Sequence, residues 1–307
     1  MHVVLIHHTR LPVVGYGGHE RVVVWLARGL AELGHRVTVI APAGTKIPQA
    51  SVIPVRFRPE LDLAAMAPAD ADILHYHFPI RSSPALPSVW TLHGNLKPGE
   101  IPPPNTICVS ANHAARHGGT AYVHNGVDPA EFVFRANKSD YDLFLGRLHS
   151  VKGYQLAIEG ARRSRRKLVV AGGWRPSLSR WVHFVGSVDG AVKAEWLAGA
   201  RLLWMPALWD EPCGLTLLEA LMSGTPLLGT RRGALPEIIS EDVGAMGDTL
   251  DELVDLIPAV TRKDPEACRA RAMRCFSHLV MAEEYLRLYR HFIATGTLPA
   301  GRACPDA

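Results

Sequence analysis

The chain has 307 residues, 48% of them hydrophobic and 20% charged, with a formal net charge of +4. That length suits two domains of ordinary size, and the balance is that of a globular protein rather than a disordered chain. No apolar run approaches the roughly 20 residues of a membrane-spanning helix, and the bases are not interleaved with aromatics as in a nucleic-acid platform, so neither class is expected.

In chain order, residues 3–7 read as a strand, 19–33 as an amphipathic helix and 36–40 as a second strand. Short apolar strands are expected at 52–55, 73–77, 89–92, 106–109 and 122–124, with a Pro-rich loop at 98–104. The pattern restarts near residue 140. Strands are predicted at 141–145, 168–171, 183–185, 202–205 and 226–229, with helices at 154–163, at 191–199 and around Glu219. Strands alternating with helices argue for parallel sheets covered on both faces. The division read from this pattern is 1–137, 138–280 and a last segment, 281–307, whose helix spans 281–293; the tail with Pro299 and Pro305 is expected to fray.

The N-terminus enters a strand without a basic n-region or a small-residue cleavage site, so a cytoplasmic protein is expected. Cys108, Cys213, Cys268, Cys275 and Cys304 are odd in number and form no CxxC pair, and reduced thiols are the expectation. The basic run Arg162-Arg163-Ser164-Arg165-Arg166-Lys167 reads as a solvated helix C-terminus, where cations complement the helix dipole. It leaves room for weak peripheral contact with an anionic membrane.

The most informative stretch is Glu211-Pro212-Cys213-Gly214-Leu215-Thr216-Leu217-Leu218-Glu219. Pro and Gly break any helix running through both acids, so Glu211 belongs on a loop and Glu219 on the helix that follows. The amides of Gly214, Leu215 and Thr216 then form a helix start, which attracts anions such as phosphate. Two acids beside an anion site suit a ligand carrying both hydroxyls and phosphate, as a nucleotide sugar does. Gly15-Tyr16-Gly17-Gly18-His19-Glu20, after the first strand, brings a backbone that a phosphate can approach closely, without the GxGxxG spacing of dinucleotide enzymes. In Gly146-Arg147-Leu148-His149-Ser150-Val151-Lys152-Gly153, a planar guanidinium and a compact ammonium follow another strand and can neutralise a diphosphate.

Together with Gly233-Ala234-Leu235-Pro236-Glu237, these strings resemble the E-x7-E, GGxE and GR-x-x-x-x-KG-type motifs of retaining glycosyltransferases of family 4. The resemblance covers nearly the whole chain and is clearer in the second half. It implies the α/β GT-B fold: two Rossmann-like domains facing across a cleft, the first on the acceptor side and the second binding the nucleotide sugar, with the last helix crossing back to the first. It implies retaining, metal-independent transfer from a UDP- or GDP-sugar to a hydroxyl of a saccharide, natural-product or lipid-linked acceptor. In that reading Arg147 and Lys152 clamp the diphosphate, and Glu211 contacts the transferred sugar. Glu219 accepts from the ribose hydroxyls, and Gly17, Gly18, Gly146, Gly214, Leu215 and Thr216 line the donor. Gly172-Gly173-Trp174 and Gly186-Ser187-Val188 sit where the base would lie. His93, in Thr91-Leu92-His93-Gly94, faces the sugar, while Ser110 and Asn125-Gly126-Val127-Asp128 shape the same side of the cleft.

No cofactor and no obligatory metal are expected. His75 and His77 alternate on one strand without a third ligand at suitable spacing, and core packing accounts for them better. Nucleic acid is not an expected partner, and the oligomeric state is open. The segment between His93-Gly94 and Val109-Ser110 is short for the family, which implies an open acceptor side suited to a bulky acceptor. Two rival readings stand beside the transferase: a nucleotide-sugar epimerase or hydrolase of the same fold, and a non-catalytic nucleotide-sugar-binding protein.

Overall fold

A computed structural model describes residues 1–13, 15, 17–58, 61–79 and 86–304. Tyr16 of the first Gly-rich turn and Pro305 of the tail lie outside them. The elements run β1 (His2–Ile6), α1 (Gly18–Glu32), β2 (Arg36–Ala41), β3 (Ser51–Pro54), β4 (Ile73–Tyr76), β5 (Ser88–Thr91), β6 (Thr106–Ile107) and α2 (Ala111–Arg116). They continue with β7 (Asp142–Leu145), α3 (Tyr154–Ser164), β8 (Leu168–Ala171), β9 (Val182–Gly186), α4 (Gly190–Gly199), β10 (Leu203–Met205) and α5 (Leu215–Met222). The last are β11 (Leu227–Gly229), α6 (Leu235–Ile238), β12 (Gly244–Met246), α7 (Leu250–Val260), α8 (Pro265–Phe276) and α9 (His278–Thr295).

The chain forms two units, one from Met1–Gly126 with Ser277–Ala303 and the other from Val127–Phe276 with Cys304–Ala307. Each holds a six-stranded, wholly parallel sheet, in the orders β3-β2-β1-β4-β5-β6 and β12-β11-β10-β7-β8-β9. Counted from its own first strand, each order is 3-2-1-4-5-6, the doubly wound Rossmann arrangement. Central strands of such sheets are covered on both faces, which is why Val3, Val4, Leu5 and Ile6 form an unbroken apolar run with 0% exposure. The order reverses between β1 and β4 in one sheet and between β7 and β10 in the other. Ligands of open α/β sheets bind beyond the carboxyl ends of strands at such a switch point.

In the first unit α9 packs along α1. Gly29 supplies the close approach, since a Cβ there would lie 2.6 Å from the His278 carbonyl oxygen. The His278 Nε2–Glu32 Oε2 contact at 3.0 Å fixes the register of the two helices. Several expectations need correction. Residues 122–124 form only a single bridge, Cys108 to Tyr122, because the chain turns away after one pairing. The tail is tied down through residue 304: the Gly301 N–H donates to the Thr120 carbonyl at 2.9 Å. Cys275 and Cys304 are joined as a disulfide, with Cα atoms 5.3 Å apart, within the span such a bridge requires; Cys108, Cys213 and Cys268 form no disulfide. The basic run is not merely solvated. Arg166 forks onto the fully buried Asp142 at 2.8 and 2.9 Å, and Lys167 pairs with Asp140 at 3.0 Å.

Gly29→Ala sets helix propensity, which favours Ala by about 1 kcal/mol, against overpacking onto the α9 backbone, which costs about 1–3 kcal/mol. The expected outcome is a lower urea midpoint than wild type; a raised midpoint shows that the helices have room for a methyl.

Candidate active site

In the second unit the site grows from two glycines. Gly153 has φ +71°, and a Cβ there would fall 1.7 Å from the Pro206 carbonyl oxygen. Only glycine lets the loop after β7 lie against the end of β10, an approach sealed by the Leu208 N–H donating to the Val151 carbonyl at 2.8 Å. Gly233, at φ +57°, does the same from the other side, with a Cβ position 2.3 Å from the Glu211 nitrogen; the Ala234 N–H donates to the Glu211 carbonyl at 2.9 Å. The loop carrying Glu211 is thus held between two backbones at the switch point of its sheet.

That packing brings Lys152 Nζ within 2.6 Å of Glu211 Oε2. The Trp209 indole N–H donates to the same oxygen at 2.8 Å, and the ammonium lies 4.8 Å from the Trp209 ring centroid. Glu211 Oε1 has no hydrogen bond among the described residues. The spacing of the motifs does not reveal Trp209; the signal available is an aromatic two residues before the first Glu, on a loop that must leave a strand. Gly214 caps α5 in the left-handed region (φ +77°), so the Leu215 and Thr216 amides open that helix without a side-chain cap. Glu219, 2% exposed, faces Lys193 of α4, whose Nζ is 2.6 Å from Glu219 Oε1. The motifs do not reveal Lys193 either; its signal is one lysine on the otherwise apolar face of a short helix.

Beside this, Gly146 and Gly172 meet at the ends of β7 and β8, a Cβ on Gly172 falling 2.2 Å from the Gly146 carbonyl oxygen. Gly173 abuts Leu148, while Arg147 is exposed just after β7 and Val188 is half-buried after β9. Trp174 is 68% exposed.

The first unit gathers imidazoles at its own switch point. His7 follows β1, His77 follows β4, His93 follows β5, and His19 stands in the first turn of α1. His77 Nδ1 and His93 Nε2 share a hydrogen bond at 2.9 Å, and the His93 ring lies 5.2 Å from His77 and 5.5 Å from His19. His75, beneath them, is bonded at both nitrogens, to Tyr289 Oη at 2.6 Å and to Thr91 Oγ1 at 2.7 Å, so it ties β4 and β5 to α9. Burial holds His75 down at about 3. Burial, with repulsion from His19 and His8, holds His7 at about 4. Burial first, and then neighbouring imidazoles, pushes His77 and His93 well below the ordinary histidine range. The stack is therefore neutral at physiological pH. His7 Nε2, His77 Nε2 and His93 Nδ1 are buried without a hydrogen-bond partner among the described residues. Among those residues no group of three His, Cys, Asp or Glu side chains is arranged to hold a metal ion.

Gly17 precedes α1 in extended conformation, and a Cβ there would meet Val13 at 2.5 Å and Glu20 Oε2 at 2.9 Å; α1 then begins at Gly18 with no side-chain cap. Ser110 caps α2 by accepting from the His113 N–H at 3.1 Å, and Asp128 caps the turn after it by accepting from the Ala130 N–H at 2.9 Å. Both have local structural work of their own. The segment 95–105 contains no helix.

Comparison with known proteins decides the family. The profile described as Glycosyltransferase Family 4 matches residues 16–131, and that described as Glycosyl transferases group 1 matches residues 141–265. The chain is a glycosyltransferase of the family-4 type. It is 28% identical to AviGT4, a glycosyltransferase involved in avilamycin A biosynthesis, with a TM-score of 0.82 over 97% of this chain and 99% of that one. It is 25% identical to a phosphatidyl-myo-inositol mannosyltransferase of Mycobacterium leprae, covering 92% of this chain and 95% of the relative. A UDP complex of Anabaena Alr3699/HepE shares the fold at 16% identity, with a TM-score of 0.71 over 95% of this chain and all of that one. The two parallel sheets are thus those of the GT-B fold, and the family-4 transferase is an enzyme rather than a scaffold.

The neutral imidazoles predict acid sensitivity. Their folded pKa values lie below the unfolded value near 6.5, so their contribution is complete above that pH. It is lost as pH falls toward the folded values of about 4 for His7 and about 3 for His75. Each buried histidine removes up to about 1.4 kcal/mol of stability per pH unit in that window. The melting temperature should drop steeply between pH 6.5 and 4.5, and a flat profile would show that the stack is protonated in the folded protein.

Proposed function

We propose that this transferase moves a sugar, with retention of anomeric configuration and without an obligatory metal, from a nucleoside diphosphate sugar to a hydroxyl of a bulky saccharide, natural-product or lipid-linked acceptor. The observation that carries the proposal is the Lys152–Glu211–Trp209 cluster at the switch point, next to the uncapped start of α5. Lys152 spends one N–H on Glu211 and keeps the others for an incoming phosphate. Arg147, exposed on the same loop, supplies the second cation, so the charge developing on the leaving diphosphate meets fixed positive groups.

The chemistry that fits is front-face transfer. The acceptor oxygen bonds to the anomeric carbon on the face from which the diphosphate departs, the glycosidic C–O bond breaks, and the hydroxyl proton passes to the departing phosphate oxygen. Glu211 suits an orienting role better than a nucleophilic one, because an ammonium and an indole already draw on one of its oxygens. Its unbonded Oε1 accepts from a sugar hydroxyl, and the buried, unpaired Nδ1 of His93 offers a hydrogen bond on the acceptor side. Glu219 takes the ribose. The two relatives' names, one involved in avilamycin A biosynthesis and one a phosphatidyl-myo-inositol mannosyltransferase, support an extended acceptor, as does the short helix-free segment at 95–105.

A thermal-shift panel of UDP, GDP, ADP, CDP and TDP, with Mg²⁺ or with EDTA, tests the donor site. One nucleotide should raise the melting temperature of wild type in EDTA and lose that effect in Glu219→Ala. No shift at millimolar concentration, or a shift that needs Mg²⁺, refutes the proposed site. With the donor known, Lys152→Ala should lower kcat by about 10²–10³, or about 3 kcal/mol of barrier, and the anomeric proton coupling of the product reports retention.

A further inference from the structure

We infer that Lys193 is a specificity-determining residue that makes the nucleotide site select ribonucleoside over 2′-deoxyribonucleoside diphosphates; this rests on the donor reading above. Lys193 is 8% exposed, on a helix whose inward face is otherwise apolar, and its Nζ lies 2.6 Å from Glu219 Oε1 and 5.7 Å from the Phe132 ring centroid. A buried ion pair is a weak stabilising device, since two well-packed apolar side chains serve a core as well or better. The pair therefore calls for a reason beyond packing, and its unfilled hydrogen-bonding capacity supplies one.

An ammonium carries three donors, and Lys193 uses one of them among the described residues. The Glu219 carboxylate is bonded at Oε1 alone, leaving Oε2 without a partner among those residues. Side by side, the pair offers one acceptor oxygen and one charged donor. A bare carboxylate can accept from both hydroxyls of a ribose diol, one on each oxygen. Here Oε1 is taken, so one hydroxyl donates to Oε2 while the oxygen of its neighbour accepts from Lys193. Removing the 2′-hydroxyl leaves one member of a buried charged pair unsatisfied on binding. A site built to bond a hydroxyl discriminates strongly against the analogue that lacks it. The same ammonium offsets the Glu219 charge, which would otherwise repel the diphosphate.

The test is equilibrium titration of the full chain with UDP, 2′-deoxy-UDP, GDP and 2′-deoxy-GDP, on wild type, Lys193→Met and the shorter, uncharged Lys193→Gln, with folding checked by circular dichroism. Wild type should bind the ribose member of one pair at least about tenfold more tightly than its deoxy partner. The ratio should fall within about threefold in whichever Lys193 variant folds. Equal ribose and deoxyribose affinities in wild type overturn the inference even if neither variant folds, and so does an undiminished ratio in a folded variant. Both results leave the donor reading standing, whereas failure of all four nucleotides to bind, together with ADP, CDP and TDP of the thermal-shift panel, overturns the two together.

Discussion

The second unit is organised around a place where no side chain fits. At Gly153 the loop leaving the first strand of the sheet lies on the Pro206 carbonyl, closer than any Cβ allows. This backbone approach makes a lysine on one crossover and a glutamate on another into partners 2.6 Å apart. Gly233 presses the same glutamate loop from the far side, and Gly214 turns the chain into α5 immediately after it. The charged groups follow from these contacts rather than causing them. An ion pair at the mouth of a sheet is worth little as glue, while a glycine jammed against a carbonyl admits no alternative packing.

Much of this arrangement is legible in the sequence because it is local. A Pro and a Gly between two acids must separate loop from helix, and a Gly directly after a lysine announces a turn in the left-handed region. Such features need only a few residues of context. Lys193 and Trp209 are harder to read. Lys193 meets Glu219 across 26 positions, and nothing in the helix around it names the partner. The imidazole stack is harder still, since its members come from three strand ends and the start of a helix, and they meet only once the sheet order is known. The short elements β12 and α6 escape a periodicity reading because three or four residues carry no period, and in the 11-residue α7 Pro258 interrupts the helical pattern. The Cys275–Cys304 pairing is invisible for the same reason as Lys193: the two are 29 positions apart and neither lies in a recognisable framework.

The two units meet the same problem of polar groups near a switch point in opposite ways. The second carries formal charges, with Lys152 matched to Glu211 and Lys193 to Glu219. The first carries neutral rings, kept uncharged by burial and by one another, with nitrogens left unpaired. Neutral imidazoles suit hydroxyl-rich surfaces, which need donors and acceptors but no net charge. Cations suit a diphosphate. Under the function we propose, the first unit's side chains would suit a hydroxyl-bearing acceptor and the second unit's a nucleotide donor.

The first unit is also discontinuous, closing only when α9 lies against α1 and when Tyr285 and Tyr289 reach Thr91 and His75. A ribosome delivers residues 1–126 long before residues 278–295. During elongation the earlier sheet therefore waits with one helix face bare and with His75 and Thr91 lacking their tyrosine partners, while the second unit has all of Val127–Phe276 in place and lacks only the segment that carries Cys304. Topology alone thus works against the usual order, in which the earlier of two domains in a growing chain folds first. A helix made after the whole of the second sheet seals the first.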